Sequence, residues 1–457
     1  MSLITAPLAK KITAITYEML PDAALKQARK LVLDGLAVAV AGASWAEGPR
    51  ILAEHLEKLG GAAECQTIGF GFKTNPVQAA YLNGTSMHVL DYEPMWSPAN
   101  HAISTTLPAV LALCESEGFH GREALAALIK GVEIQGWLRV ATGQLAPTDL
   151  TYHPPGITGP FSSAVAAAHL LGMDALKLQH AIGLAASRTG SLLANIGSMT
   201  KATHCGLGGS LGLDAALLAA QGFTANPEIF EAPKGFSNIV FGADFDNDAL
   251  LRFGAPWRIV DPGPAIKMFP NQFATHYGVS AGLAVHSDIP SGMPIVDAIQ
   301  SVTMVTPMMA YIDRPKPETG LAGKFSWQYT LAVALLDGRV GIDSFTDKRR
   351  FQPDVESLLE KITIDMDDTI PGTLEDMHVE LTVTLKSGEA LQNRCDGPKG
   401  LWGSPPIDTE DHLVKVRDCL ARSLTSSVIE EIIGLCAEFD HLDASGIKKL
   451  MALTAKK

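Results

Sequence analysis

Apolar residues recur at helical spacing from Pro21 to about Asp261, and this periodicity limits the possible fold more than any other feature of the chain. Many of the segments follow Pro or Asp and end at Gly, which are common helix boundaries. Ala and Gly supply much of the 47% hydrophobic share, and small side chains allow helices to pack closely. The sequence therefore predicts helices over 22–41, 49–58, 76–90, 103–114, 122–142, 162–171, 176–187 and 208–221.

The spacing changes after about Ile295, where apolar and polar residues begin to alternate as they do in half-buried strands. Ser387-Gly388 indicates a turn between the last two alternating segments. We expect antiparallel pairing, which suits strands with one buried face. The predicted strands are 301–306, 362–367, 379–385 and 389–395.

Together these patterns predict a mainly α protein with two domains, in keeping with a length of 457 residues. Residues 1–265 are predicted to form a large all-helical domain. Residues 266–404 are predicted to form a smaller α+β domain with antiparallel strands. Helical spacing returns in the remaining segment, 405–457, from Thr409 onward.

Charge and cysteine content exclude several classes of protein. The formal net charge is −13 and no Lys/Arg run supplies a basic face, so we expect no nucleic-acid partner. The six cysteines show no C-x-x-C or other ligand spacing, which predicts a reduced, intracellular protein without a metal site. The apolar run 31–43 is interrupted by Asp34 and is too short to span a bilayer. We therefore expect no membrane segment, no signal peptide and a cytoplasmic location.

Four short segments place basic or imidazole side chains beside Pro, Gly or other small residues. The first, 88–101, follows a predicted helix and contains Asp91 and His101, which lie ten positions apart and can meet only through the intervening loop. In a chain with only 19% charged residues, the four segments are candidates for one shared site. The other three, with their basic residues, are 152–159 (His153), 199–206 (Lys201 and His204) and 266–270 (Lys267).

These segments resemble the active-site segments of the MmgE/PrpD family, which includes 2-methylcitrate dehydratase, cis-aconitate decarboxylase and iminodisuccinate epimerase. The resemblance covers nearly the whole chain and extends to the segments 162–187, 311–315, 324–329 and 403–406. It implies a cofactor-independent enzyme that forms a homodimer and acts on a small di- or tricarboxylate. It also implies that 405–457 folds back onto 1–265, so that 266–404 is an inserted lid.

The chemistry of such substrates indicates roles for five candidate catalytic residues. Substrate carboxylates must be neutralised, a base must reach a C–H bond, and developing negative charge must meet fixed donors. Lys201 and Lys267 suit the first task. His101 and His153 suit acid–base catalysis, with an ionisation expected between about pH 6 and 8. Asp91 would either orient an imidazole or act as the base itself.

Three further residues are candidates for substrate binding. His204 lies three positions after Lys201, one turn away if the segment is helical, and would complete a cationic pocket. Tyr311 matches a family active-site tyrosine and could donate to a substrate carboxylate. Gln272 stands where the decarboxylase branch has a second histidine, and Met95 stands where that branch has Thr.

Because Gln272 cannot transfer protons, the sequence favours a lyase that eliminates water after abstraction of an α-proton, similar to 2-methylcitrate dehydratase. Two enzymatic alternatives stay open on the same fold: an epimerase or racemase, which would return the proton, and a decarboxylase. A third alternative is a non-catalytic carboxylate-binding helical protein. Such a protein would need the lysines but would have no use for Asp91, His101 and His153 together.

The glycines of 205–212 resemble a dinucleotide-binding loop. The sixth position of that motif is Leu211, however, and no strand precedes it. The segment is better explained by helices that pack closely through small residues. We therefore expect no cofactor.

Overall fold

The computed structural model describes residues 3–290, 292–402 and 407–455. Its fold is mainly helical. The helices are, in chain order, Thr5–Ala14 (α1), Asp22–Trp45 (α2), Glu47–Leu59 (α3), Pro76–His88 (α4), Ala102–Glu117 (α5), Gly121–Ala141 (α6), Pro154–Leu170 (α7), Ala175–Ala186 (α8), Thr200–Ala220 (α9), Asn247–Leu250 (α10), Thr275–His286 (α11), Ile295–Ala298 (α12), Gly320–Gly323 (α13), Trp327–Asp337 (α14), Asp347–Arg350 (α15), Pro353–Leu359 (α16), Thr409–Leu420 (α17), Ser426–Ala437 (α18) and Ala444–Leu453 (α19). The strands are Cys65–Gln66 (β1), Lys73–Thr74 (β2), Ile299–Pro307 (β3), Ile362–Asp367 (β4), Val379–Leu385 (β5) and Ala390–Cys395 (β6).

Each of the predicted helices is present, but α7 and α9 begin earlier than their apolar spacing indicated. α7 begins at Pro154, because proline lacks the N–H that would have no partner in a first helical turn. The first turn of α9 is polar, which hid its helical character. The earlier starts place His153 at the N-terminal boundary of α7, and Lys201 and His204 in the first turns of α9.

The four predicted strands form one sheet in the order β4-β3-β5-β6. β5 pairs antiparallel with both β3 and β6, as expected. β4 instead runs parallel to β3, because the chain returns to the same end of the sheet through α13–α16 before β4 begins. The sheet is therefore mixed, with a single parallel pairing within it.

Buried apolar side chains form two main cores in the described part of the chain. One lies among α1–α9 and includes Val416, Ile432 and Leu450 from the C-terminal helices, which pack on α2 and α5. The other surrounds the four-stranded sheet together with α11 and α14. The domain boundaries at 265/266 and 404/405 stay a prediction, and the family-like segment 403–406 lies outside the described residues.

Glycines in α9 allow it to cross α4 and α7 at very short range. A Cβ atom on Gly206 would lie 2.2 Å from the Tyr81 carbonyl oxygen of α4, and one on Gly212 would lie 2.0 Å from the Pro160 carbonyl oxygen of α7. Any larger side chain would therefore push the helices apart. This confirms close helix packing as the purpose of the 205–212 glycines, and it brings Lys201 near the end of α4.

No single helix among the described residues is long and apolar enough to cross a membrane; α2 and α3 meet that test only when taken together, and they are bent by 85° at their junction. All six cysteines are free and buried. Burial raises the pKa of Cys65 and Cys419 to about 12, so these thiols are protonated and unreactive at neutral pH.

Candidate active site

A tight turn after α4 carries the central groups of the site. Asp91 in this turn has a φ of 51°, and it is the one non-glycine residue of the described chain in the left-handed region. The Asp91 N–H donates to the His88 carbonyl oxygen at 2.7 Å. A left-handed conformation is unfavourable for a residue with a Cβ, so neighbouring contacts must hold it. We call residues 88–93 the Asp91 turn.

Two arginines hold the loop that leads from the Asp91 turn to α5. Arg258 Nη2 donates to the Ser97 carbonyl oxygen at 2.6 Å, and Arg139 Nε donates to the Ala99 carbonyl oxygen at 3.2 Å. Arg139 is almost completely buried. These contacts fix the position of His101, which directly precedes α5.

Glu93 connects two imidazoles at the base of the site. Its Oε1 lies 2.9 Å from His101 Nδ1 and also contacts His88 Nδ1. Burial lowers the pKa of His88 to about 3 and lowers that of His101 below its usual value of 6.5, although Glu93 opposes both shifts. Both rings are therefore neutral at pH 7. A carboxylate beside Nδ1 also favours the tautomer with its proton on Nδ1, in which Nε2 is the basic nitrogen of His101.

Asp91 forms buried ion pairs with both predicted lysines. Lys201 Nζ lies 2.8 Å from Asp91 Oδ2, and Lys267 Nζ contacts Asp91 Oδ1. Burial alone would raise the pKa of the Asp91 carboxyl, but the two ammonium groups lower it well below its usual value of 3.8. A carboxylate with so low a pKa is a poor base. Of the two roles expected for Asp91, the geometry thus favours orientation, and the groups it orients are the lysines.

The two lysines differ in how many protons they have left for a substrate. Lys267 Nζ donates to the carbonyl oxygens of Asp91 and Asn271, both at 2.9 Å, in addition to the Asp91 carboxylate. Its three protons are therefore used by acceptors of the protein itself. Lys201 Nζ contacts Asp91 and, at 3.0 Å, His88 Nε2, which leaves one proton free. Only Lys201 is suited to neutralise a substrate carboxylate directly.

A cavity of about 510 Å³ brings together seven of the eight predicted site residues. His204 is the exception, because it lies behind His153, with 3.1 Å between their Nδ1 atoms. Burial lowers the pKa of His204 to about 4, so its ring is neutral and does not add the positive charge that the sequence suggested. The predicted residues that line the cavity are Asp91, His101, His153, Lys201, Lys267, Gln272 and Tyr311.

One wall of the cavity is built by Gln272, Tyr311 and Arg314. Gln272 Nε2 donates to the Tyr311 hydroxyl oxygen at 2.7 Å, so the hydroxyl keeps its own proton for a ligand. Arg314 Nε donates to the Tyr311 carbonyl oxygen at 3.1 Å. No carboxylate of the described residues forms an ion pair with Arg314. A guanidinium without a carboxylate partner therefore faces the cavity.

Three residues at the site were not predicted from the sequence: His88, Glu93 and Arg314. Glu93 precedes a proline and has the appearance of an ordinary loop carboxylate, and His88 is the last residue of a helix. The one local signal was their occurrence in the same segment as Asp91 and His101. Arg314 lies in a family-like segment, but no periodicity indicates which way its side chain points.

The histidines could also hold a metal ion. Ring nitrogens of His88, His101 and His153 lie within 4.8 Å of one another, and the Glu93 carboxylate stands behind two of them, as in many metal sites. The sequence predicted no metal here. The Lys201 ammonium, 3.0 Å from His88 Nε2, repels a cation at this position. The donor set alone is suitable, but the charge beside it opposes metal binding.

Comparisons with known proteins agree with the resemblance seen in the sequence. Residues 6–248 match the family model described as MmgE/PrpD N-terminal domain, and residues 269–438 match the MmgE/PrpD C-terminal domain. The chain is 27% identical over 460 residues to a cis-aconitate decarboxylase of Mus musculus, covering 98% of this chain and 93% of that protein. It is 25% identical over 410 residues to a 2-methylcitrate dehydratase of Cupriavidus necator, covering 82% of this chain and 81% of that protein. The chain therefore belongs to the MmgE/PrpD family.

Proposed function

We propose that this protein is a cofactor-independent lyase that eliminates water from a small di- or tricarboxylate, similar to the relatives named 2-methylcitrate dehydratase. The observation that carries this proposal is the neutral imidazole of His101. Its Nδ1 lies against Glu93, and the ring lines a cavity that also contains Lys201 and Arg314. A neutral base beside fixed positive charges is what abstraction of a proton α to a carboxylate requires.

Side chains that line the cavity can carry out each step of the proposed reaction. His101 Nε2 removes the proton on the carbon next to a substrate carboxylate, and the electron pair moves onto that carboxylate. The remaining Lys201 proton stabilises the added negative charge. The electrons then form the carbon–carbon double bond as the β-hydroxyl leaves, and the imidazolium of His101 protonates it. Water departs and His101 is neutral again.

Arg314 is proposed to bind a second carboxylate of the substrate. It supplies a charged, planar donor group that no protein carboxylate neutralises within the described residues. Tyr311, held next to it by Gln272, adds a neutral donor. A substrate with carboxylates at both ends would then span the distance from Lys201 to this wall.

We expect Arg314→Met to weaken substrate binding and leave the chemical step largely intact. Loss of a charge-assisted hydrogen bond of about 1.5–3 kcal/mol predicts a KM higher by about 10-fold to 150-fold. The kcat should stay within about threefold, because the contact is made equally in ground and transition states. Steady-state kinetics on the substrate identified below provide the test. An unchanged KM would place the second carboxylate elsewhere.

Decarboxylation of a cis-aconitate-like tricarboxylate is the second candidate. It is favoured by the relatives named cis-aconitate decarboxylase, which match at 27% identity over 96–98% of the chain. Against it, Gln272 lines the cavity where the decarboxylase branch has a histidine, and an amide cannot deliver a proton. An epimerase would share the first step with the dehydratase and differ only in the absence of a leaving group.

Incubation of the pure protein with a panel of acids distinguishes these reactions. Citrate, 2-methylcitrate, cis-aconitate, tartrate and aspartate-derived acids would be followed by proton NMR in D₂O, together with measurement of released CO₂. A new vinyl signal without CO₂ supports dehydration, CO₂ release supports decarboxylation, and deuterium in recovered substrate without a new product supports epimerisation. Binding without any exchange or turnover would favour the non-catalytic alternative.

The reaction proposed here needs no metal, since Lys201 and Arg314 supply the positive charge. We therefore expect activity to be unchanged after prolonged dialysis against EDTA. The measurement is the turnover number before and after dialysis, with metal content determined on the same samples. A loss of activity that one divalent metal restores would assign the His88, His101 and His153 cluster to that metal.

A further inference from the structure

Three buried lysines donate to three consecutive backbone carbonyls of the Asp91 turn. Each lysine is no more than 3% exposed. No backbone N–H of the described residues donates to these carbonyls, so the lysines are what satisfies them. The contacts are Lys324 Nζ to Leu90 O at 2.7 Å, Lys267 Nζ to Asp91 O at 2.9 Å, and Lys415 Nζ to Tyr92 O at 2.8 Å.

The lysines reach the turn from different parts of the chain. Lys267 and Lys324 belong to the part that contains the sheet, and Lys415 belongs to α17. Lys415 is paired with Asp34, at 2.9 Å. Lys324 has no ion-pair partner among the described residues. Burial without a carboxylate partner is costly for a lysine and lowers the pKa of Lys324 to about 7, so its retention calls for a use at this site.

The position of the turn determines the geometry of the groups that act on a substrate. Asp91 is in a conformation that L residues rarely adopt, and its carboxylate must meet Lys201 on one side and Lys267 on the other. Two residues further on, Glu93 must reach His101. A rotation of the peptide groups from 90 to 92 would move both carboxylates. Displacement of a reacting group by about 1 Å can cost about a hundredfold in rate.

We propose that Lys324 and Lys415, neither of which lines the cavity of about 510 Å³, are positioning residues that hold the Asp91 turn in its active conformation by binding its carbonyls. This inference rests on the proposed function, since it assigns the two lysines to the same reaction. It also gives α17, the first of the three C-terminal helices, a part in catalysis, although α17 contributes no side chain to the lining of the cavity of about 510 Å³. Lys267 acts in the same way but also carries the ion pair with Asp91.

Lys324→Ala tests the first of these residues. The native Lys324 side chain lines a second cavity, of about 480 Å³. Asp91, Lys201 and Phe325 line both this cavity and the one of about 510 Å³. We expect kcat to fall at least tenfold while KM stays within about threefold. Added n-propylammonium, which matches the atoms removed, should restore part of kcat. Tetramethylammonium, which has the charge but no N–H, should not.

Lys415 needs a double variant, because Lys415→Met alone leaves the buried Asp34 carboxylate with only His412, at 2.9 Å. The double variant Asp34→Asn/Lys415→Met removes both charges, and it also removes the ammonium that donates to the Tyr92 carbonyl oxygen. The matched control is Lys130→Met. Lys130 is equally buried, its Nζ donates to the Ile15 carbonyl oxygen at 2.6 Å, and it lines neither of these two cavities.

A readout that needs no substrate separates this inference from the proposed function. In protein labelled with ¹⁵N-histidine, the ring signals of His88 and His101, assigned with His88→Gln and His101→Gln, should shift in Lys324→Ala and in the Asp34/Lys415 double variant, but not in Lys130→Met. If both sets of ring signals and kcat match the control, the inference is wrong. If the signals shift as expected but no acid of the panel reacts, the positioning stands and the proposed function fails.

Discussion

We expect His101→Gln to lower kcat by about 100-fold to 10,000-fold, the contribution usual for a general base. Gln keeps a polar side chain at the position, so Glu93 retains a hydrogen-bond partner, but an amide cannot accept a proton from carbon. Substrate affinity should stay within about tenfold, because Lys201 and Arg314 still hold the carboxylates. The measurement combines steady-state kinetics with deuterium exchange from solvent into substrate or product.

The pH dependence of the wild type adds a second check on His101. Its base form is the neutral imidazole, and burial lowers the pKa of this ring below 6.5. The kcat/KM should therefore be constant through neutral pH and should fall only as pH decreases below 6.5. This moves the ionisation towards the acid side of the pH 6–8 window expected from the sequence. Full exchange and turnover in His101→Gln would show that His101 is a structural residue, and the base would then have to be sought at His153 or Asp91.

The second large effect concerns stability. Lys267→Met removes one of the two ammonium groups that neutralise Asp91 and leaves two backbone carbonyls without a donor. Breaking one side of a buried ion pair costs about 3–5 kcal/mol in the free energy of unfolding. We expect a loss of this size in urea titrations followed by circular dichroism, together with loss of activity.

Lys201→Met is the matched control for this loss, because it removes the other ammonium group that pairs with Asp91. Lys201→Met should destabilise less than Lys267→Met, because Lys201 satisfies no backbone carbonyl. A change of less than about 1 kcal/mol in Lys267→Met would show that the Asp91 turn does not depend on this ammonium.

Much of the fold could be predicted, because apolar periodicity reports directly which face of a segment is buried. It does not report the direction in which a strand pairs, so alternation in 362–367 was compatible with the parallel pairing of β4 and β3 that the structure shows. Apolar periodicity also does not detect a polar first turn, and the predicted helix therefore began later than the observed start of α9 at Thr200.

The sequence indicated which residues line the candidate site, but not which contacts each of them makes. Asp91, His101, His153 and both lysines line one cavity, as the clustering of basic residues beside small ones suggested. The assignment of Glu93 to the imidazoles and of Asp91 to the lysines depends on a turn with φ of 51°, which no spacing rule indicates. Likewise, no spacing rule indicates that the three protons of Lys267 are taken by the Asp91 carboxylate and by the carbonyl oxygens of Asp91 and Asn271.

The arrangement of the lysines beneath the Asp91 turn has a consequence for how a substrate reaches the cavity. Lys267 and Lys324 join the sheet-containing part to the helical part beside the cavity, by contacts with buried carbonyls and a buried carboxylate. A hinge that opened at this seam would break all of these contacts at once. These contacts therefore hold the two parts together, and we expect a substrate to enter past Leu150, Ile196 and the half-exposed Met308, which also line the cavity.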